Sequence, residues 1–186
     1  LKLNKSVGKP MPKKLLVITG ATGSGKTTVS HYLNEQYQVP QDVTHTTRPK
    51  RHNEVAGDDY YFETDASMQQ KHLIESVTYS GYRYGSSHEA LALAWDQAPI
   101  ISLVVDTHGA KTYLETYPDE VLVLFLTVSA PDALVARLQK RKDTPEAIQK
   151  RIASAEFKRD LMLPNALNKQ AKIIVNDDWS KTKQVL

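Results

Sequence analysis

The 186-residue chain contains no cysteine. This excludes a disulfide framework and thiolate metal sites, and with no secretory hydrophobic segment near the start we expect a cytoplasmic protein. No apolar run approaches the roughly 18 residues that span a bilayer, so we expect no membrane insertion. Neither charge sign is in large excess, because 24 Lys and Arg face 21 Asp and Glu. The resulting net charge of +3 favours small anionic ligands over nucleic acid as partners.

The length favours one core with small inserted subdomains over two full domains. Residues 1–12 are polar and basic and are broken by Gly8, Pro10 and Pro12, so we expect a flexible lead-in outside the fold. The folded domain is predicted over residues 13–186. Either a monomer or a homodimer is compatible with this size.

Four apolar runs typical of buried strands alternate with stretches of helical spacing. The predicted strands are residues 15–19, 100–105, 121–127 and 172–175. The predicted helices are residues 27–38, 87–97, 110–116 and 131–142. This alternation predicts an α/β fold in which helices flank both faces of a parallel sheet. Ligands then bind beyond the carboxyl ends of the strands, where Gly20 and Asp106 lie.

A phosphate-binding motif follows the first predicted strand. Its residues match GxxxxGK[ST] and are Gly20, Ala21, Thr22, Gly23, Ser24, Gly25, Lys26 and Thr27. Backbone N–H groups of such a loop hold a polyphosphate, while Lys26 reaches the β- and γ-phosphates and the Thr27 hydroxyl ligates Mg²⁺. We therefore predict an ATP site here, including Thr28, with Mg²⁺ as cofactor. The alternative, a glycine-rich turn with an incidental Lys and Thr, is disfavoured by the spacing and the flanking segments.

Two regions interrupt the alternation. Residues 44–86 are rich in Tyr, Arg, Thr and Gly, show little core pattern apart from a predicted short helix at 65–75, and are interpreted as a ligand-facing insert. Residues 137–155 crowd cations around the helix-breaking Asp143-Thr144-Pro145 and are interpreted as a mobile lid. The predicted core comprises residues 13–43, 87–136 and 156–186.

The segment Thr46 to Phe62 carries the pattern TTRxxRxxExxGxxYxF, which after a P-loop closely resembles the guanylate kinases. Further family segments recur in order, namely Glu75, Gly81-Tyr82-Arg83-Tyr84-Gly85-Ser86, Asp106-Thr107-His108-Gly109 and Val175-Asn176-Asp177-Asp178. The resemblance extends from Leu15 to the end. It implies a P-loop NTPase-type fold with a GMP-binding insert and a lid, and a guanylate kinase with ATP and GMP as substrates.

The resemblance also implies residue roles. The GMP-binding residues would be Thr44, Arg48, Arg51, Tyr60, Glu75, Tyr84, Ser86 and Asp106. The catalytic residues would be Lys26, Arg48 and the lid arginines Arg141 and Arg151. Asn176 would contact adenine on the ATP side. A nucleoside monophosphate, with a second pKa near ~6, is already nucleophilic at neutral pH, so such an enzyme supplies charge neutralisation and alignment rather than a general base.

Individual residues leave alternatives open. Asp106 could instead be a helix cap, Asn176 a turn residue, and Arg137 could share the role of the lid arginines. The six histidines show no metal-ligand spacing and are interpreted as surface or packing residues. Val104 stands where the family usually has an acid and His108 where Gln is usual, so we expect the hydration of Mg²⁺ to be held differently.

Two other functions compete. A related P-loop kinase for a phosphorylated sugar such as ribose bisphosphate needs no guanine-reading carboxylate, and Arg51, Tyr60 and Glu75 disfavour it. A guanylate-kinase-like interaction module that has lost catalysis is disfavoured by the intact Gly25, Lys26 and Thr27, whereas Val104 keeps this alternative open.

Overall fold

The protein is described here by a computed structural model covering residues 11–52, 54–79, 81–140 and 144–186. Most of the predicted lead-in, residues 1–10, lies outside this range, and so does Arg141. No helix within the described ranges is long and apolar enough to cross a membrane.

The strands and helices of the described chain alternate for most of its length. The strands are β1 (Lys14–Thr19), β2 (His45–Thr46), β3 (Tyr61–Phe62), β4 (Leu73–Tyr79), β5 (Tyr82–Ser87), β6 (Ile100–Val104), β7 (Val121–Thr127) and β8 (Ala171–Val175). The helices are α1 (Lys26–Tyr37), α2 (Asp65–Gln69), α3 (His88–Gln97), α4 (Thr107–Thr116), α5 (Asp132–Lys140), α6 (Pro145–Ala153), α7 (Ala155–Asp160) and α8 (Trp179–Lys183), with a 3₁₀ turn at Asn165–Leu167.

A parallel four-stranded sheet in the order β6-β1-β7-β8 forms the core, which confirms the sheet predicted from the apolar runs. Central β1 is buried on both faces. Leu15 and Val17 pack towards α3 and α4, while Ile18 packs towards α1 and α8. Burial on both faces explains why these strands read as continuous apolar runs rather than alternating ones.

Residues 45–87 form a second sheet in the order β3-β2-β5-β4. The predicted helix at 65–75 is wrong beyond Gln69, because α2 ends there and the chain continues into β4. Thr64 and Ser67 cap the start of α2 reciprocally. Beyond it, the β-branched and aromatic residues of β4 pair with β5. Glu75 is therefore a strand residue.

The predicted lid region contains α6 and the end of α5. Thr144 caps α6 and Pro145 is its first residue. A break at Ser154 separates α6 from α7, whose first turn is capped by the Ser154 hydroxyl accepting from Phe157 N at 3.2 Å. The last two residues of the helix predicted at 131–142 lie outside the described ranges.

Candidate active site

The P-loop connects the carboxyl end of β1 to α1. Gly25 caps α1 with φ of 105°, and a side chain there would collide with the amide of Asn176. The Lys26 Nζ donates to Gly20 O at 2.7 Å and to Ala21 O at 3.1 Å. Its ammonium group thus lies over the loop that the sequence predicts to hold phosphates.

Asn176, just after β8, supports the P-loop through a side-chain hydrogen bond to its backbone, a contact called the brace below. Its Nδ2 donates to Ser24 O at 2.8 Å, and its Oδ1 accepts from Thr182 Oγ1 at 2.8 Å. Arg137 adds a second brace by donating to Gly23 O at 3.2 Å and to Asn176 O at 2.5 Å. Asn176 is only 6% exposed, so its amide is used within the protein. The adenine contact stays a prediction.

Thr27 is exposed at the start of α1 and lines a cavity of about 470 Å³ together with Val104, Thr44 and Tyr60. Within the described part of the chain no group of three His, Cys, Asp or Glu could hold a metal ion. Mg²⁺ usually keeps several waters and binds substrate phosphates, and the hydroxyl that follows the P-loop lysine is a typical protein ligand of such an ion. The residues present are therefore compatible with Mg²⁺ carried by a triphosphate, and the predicted role of Thr27 as its ligand stays a prediction.

The cationic part of the second sheet is organised by Glu54. Arg48 donates to Glu54 Oε2 at 3.0 Å and to Oε1 at 2.6 Å, while Arg51 N donates to Oε2 at 2.8 Å. The hydrogen bonds from Arg48 lower the pKa of Glu54 despite some burial. Sequence analysis missed Glu54 as a functional residue, although it is the acid of the pattern that carried the resemblance.

Two tyrosines complete this group. The Arg48 guanidinium lies 5.5 Å from the centre of the Tyr60 ring, and the rings of Tyr60 and Tyr84 are 6.1 Å apart. Arg48, Arg51, Tyr60 and Tyr84, predicted as one phosphate-holding set, thus lie together in the second sheet and the loop before β3. Arg48 is only 9% exposed and contacts both the Glu54 carboxylate and the Tyr60 ring. Its guanidinium group is therefore largely fixed in orientation.

Glu75 on β4 lies opposite Ser86 on β5 and accepts from the Ser86 hydroxyl at 2.9 Å. Burial raises the pKa of Glu75 to about 7; the Ser86 hydrogen bond opposes this and the charge of Asp106 adds to it. Both Glu75 and Ser86 were predicted to bind GMP. The hydroxyl of Ser86 here orients the carboxyl group that would read the base.

Asp106 caps α4, since its Oδ1 accepts from Gly109 N at 2.7 Å. Its Oδ2 accepts from Arg159 Nη2 at 2.7 Å, an ion pair that sequence analysis missed. The cap that was left open as an alternative is therefore present, while the contact with GMP stays a prediction.

A cavity of about 210 Å³ joins the predicted parts of the site. It is lined from the P-loop by Thr22 and Lys26, from the second sheet by Tyr84, from the end of β6 by Asp106, and from α6 by Arg151. Candidates from the donor side, the acceptor side and the lid thus meet in this cavity.

Asp42 is a buried acid that sequence analysis also missed. Asp42 is 0% exposed, and neither of its carboxyl oxygens has a hydrogen-bond partner among the described residues. Burial raises the pKa of Asp42 to about 7, with a further contribution from Glu75. The buried His45, by contrast, is satisfied by Glu63 and Ser87, both at 2.8 Å, as a packing residue.

Comparisons with known proteins give a consistent picture. A family model described as guanylate kinase matches residues 12–186. The chain is similar to the guanylate kinase of Thermosynechococcus vestitus, with 34% identity over 93% of this chain and 91% of that protein. It is also 34% identical to the guanylate kinase of Thermobifida fusca over 83% of this chain and 82% of that one.

Two solved structures share the fold. The guanylate kinase of Anaplasma phagocytophilum has a TM-score of 0.63 at 21% identity, covering 95% of this chain and 84% of its own. A sugar kinase from Janibacter sp. has a TM-score of 0.53 at 12% identity, covering 94% and 92%. At these identities the structural likeness supports the fold alone.

Proposed function

The chain belongs to the guanylate kinase family and is an ATP:GMP phosphotransferase, and we propose how its residues divide the transfer of the γ-phosphoryl group from MgATP to GMP. The observation that carries the proposal is the cavity in which Lys26, Tyr84 and Arg151 meet. It is lined by a P-loop on one side and by the guanylate-type insert on the other. No group is needed to deprotonate the acceptor, since its phosphate is already largely dianionic at neutral pH.

On the donor side, the P-loop residues and Thr28 bind the phosphates of ATP through backbone N–H groups and the amino end of α1. Lys26 exchanges its loop carbonyls for phosphate oxygens when ATP binds. Thr27 would hold Mg²⁺, which would supply positive charge to neutralise the phosphates. Val104 offers no oxygen there, so any further ligands of the ion would have to come from water or the substrate.

On the acceptor side, residues 44–86 form the GMP-binding insert. Arg48, held in orientation by Glu54, binds the acceptor phosphate together with Arg51, Tyr60 and Tyr84. Glu75 accepts the N1–H and 2-amino donors of guanine, with Thr44, Ser86 and Asp106 beside it.

Residues 137–155 form the lid. Arg151, together with Arg141 of the lid outside the described ranges, closes over the transferring group and stabilises its charge. Excluding water from the closed site keeps the phosphoryl group from being transferred to water instead of GMP.

Glu75 separates this function from a sugar-phosphate kinase, which has no guanine to read. A coupled assay of ADP formation with GMP, AMP, dTMP and ribose bisphosphate should show activity with GMP alone. Glu75→Gln sets an NH₂ group against a guanine donor and should lower kcat/KM for GMP by about 10²-fold, with ATP affinity unchanged. Glu115→Gln, at an exposed position on α4, is the matched control.

Lys26→Ala tests the donor side in the same assay and should abolish turnover in a protein with parental thermal stability. Activity with ribose bisphosphate, or an unchanged GMP value in Glu75→Gln, would contradict the assignment. A cytoplasmic location, a role in purine nucleotide metabolism and a monomeric or homodimeric state belong to the same proposal.

A further inference from the structure

We propose that Arg159 is a positioning residue that keeps Glu75 able to accept the donors of guanine, by pairing with the Asp106 carboxylate beside it. The inference rests on the proposed function, since it concerns the base-reading side of the same site. Arg159 lies on α7, outside every sequence motif that carried the family resemblance.

Arg159 is held in a specific geometry. Its Nη2 donates to Asp106 Oδ2 at 2.7 Å and its Nε donates to Asp160 Oδ1 at 2.9 Å. Asp160 in turn accepts from Thr107 Oγ1 at 2.6 Å, at the first residue of α4. The guanidinium thus joins α7 to the start of α4, and Asp160, only 8% exposed, prevents it from swinging away.

Glu75 and Asp106 approach each other over Gly109. A Cβ atom built on Gly109 would lie 3.3 Å from Glu75 Oε2 and 3.4 Å from Asp106 Oδ1, so the two oxygens are no farther apart than the sum of these distances. The glycine leaves room for both carboxyl groups. Without a cation nearby, two carboxylates at this range disfavour each other's charged form.

Other titratable groups surround this pair. Asp42 before β2 and Tyr113 on α4 interact electrostatically with Glu75, and Asp160 shares Arg159 with Asp106. The charged groups across the cavity are Lys26, Arg151 and Glu156. Arg159 adds a cation that donates a hydrogen bond directly to the Asp106 carboxylate.

The interaction between these charges fixes the direction in which GMP affinity changes with pH. Guanine donors need the Glu75 carboxylate, and burial, with the charge of Asp106 adding to it, already raises the pKa of Glu75 to about 7. Affinity for GMP is therefore complete above that pH and falls as pH drops through it. Removing Arg159 takes away the cation that is hydrogen-bonded to Asp106, raises the pKa of Glu75 further, and moves the loss of GMP affinity to higher pH.

The test is the pH dependence of GMP binding, measured by calorimetry without ATP and as KM in the coupled assay, between pH 5.5 and 8.5. Arg159→Met should move the midpoint of affinity loss upward by roughly one pH unit. Its kcat at saturating GMP and pH 8.5 should change much less than its KM at pH 6.5. Titration of the GMP phosphate is common to all variants and cancels in the comparison.

Matched variants separate charge from packing. Lys158→Met removes the same charge from an exposed neighbouring position and should leave the midpoint unchanged. Arg159→Lys should keep the midpoint within a few tenths of a unit of the parent. Adding Asp106→Asn to Arg159→Met should return the midpoint to the parental value or below it, even if overall affinity is lower.

An unshifted midpoint in folded Arg159→Met, or a shift that Asp106→Asn does not reverse, would overturn the inference. Failure of the parent to phosphorylate GMP would instead overturn the proposed function. The two failures are distinguished within one set of measurements.

Discussion

Asp42 is a buried and Glu75 a half-buried acid, and the two differ in their partners. Glu75 accepts from Ser86, whereas no described residue donates to Asp42. An ionised carboxylate buried without a donor carries a large desolvation cost, so Asp42 avoids that cost only by keeping its proton. We therefore expect Asp42 to make the free energy of unfolding depend on pH.

Asp42→Asn tests this dependence. Burial raises the pKa of Asp42 from 3.8 to about 7, so its favourable contribution is complete below the unfolded value and is lost as pH rises through the folded one. Each pKa unit is worth about 1.4 kcal/mol, which bounds the loss at roughly 4 kcal/mol. The variant should therefore gain stability over the parent between pH 5 and pH 8.5 in urea unfolding.

Asp96→Asn, exposed on α3, is the control and should show no such trend. A stability difference between parent and Asp42→Asn that is constant with pH would show that the carboxyl does not titrate in this range. The sequence could not reveal this residue, because an acid in a short polar segment resembles any loop residue until the fold buries it.

At the scale of elements, motifs that carry their own backbone geometry were predictable. The P-loop follows from its motif. The four core strands follow from apolar runs, which are continuous because the strands are buried on both faces. The first residues of strand β4, up to Glu75, were wrongly predicted as the end of a helix, because the pairing of β4 with β5 is a tertiary contact. Likewise, the ion pairs of Arg159 with Asp106 and of Arg48 with Glu54 could not be predicted, because sequence spacing alone does not identify the partners.

The brace behind the P-loop shows how one element supports another. Asn176 after β8 holds Ser24 O, and its place against Gly25 leaves no room for a side chain there. We expect Asn176→Ala to weaken the loop's preorganisation for phosphates and to raise KM for the donor nucleotide by about tenfold, a loss typical of one buried hydrogen bond. KM for GMP should change little.

The choice of donor distinguishes a brace from a contact with adenine. If Asn176 acts through the loop, ATP and a triphosphate with another base should lose affinity by the same factor. A loss confined to ATP would instead favour the predicted adenine contact. Asn168→Ala, exposed after the 3₁₀ turn, serves as the control.

At the scale of the whole molecule, open space lies between the two sheets, at the place where the two substrates must come into contact. Cavities of about 470 Å³ and 210 Å³ lie between the second sheet and the core, and the larger includes both Thr27 and Tyr60. Phosphoryl transfer needs donor and acceptor oxygens close together with water excluded. We therefore expect the proposed insert and lid to move towards the P-loop when both substrates bind.

The absence of cysteine makes this motion measurable, because introduced cysteines are the only labelling sites. Ala66→Cys on α2 and Lys183→Cys on α8 are exposed and span the insert and the core. Energy transfer between dyes at these positions should rise when GMP and a non-hydrolysable ATP analogue are added together, and less with either alone. Glu115→Cys with Lys183→Cys, both in the core, should not respond. If the insert pair stays constant while calorimetry shows both ligands bound, the insert does not close, and the cavities are instead filled by substrate in a rigid site.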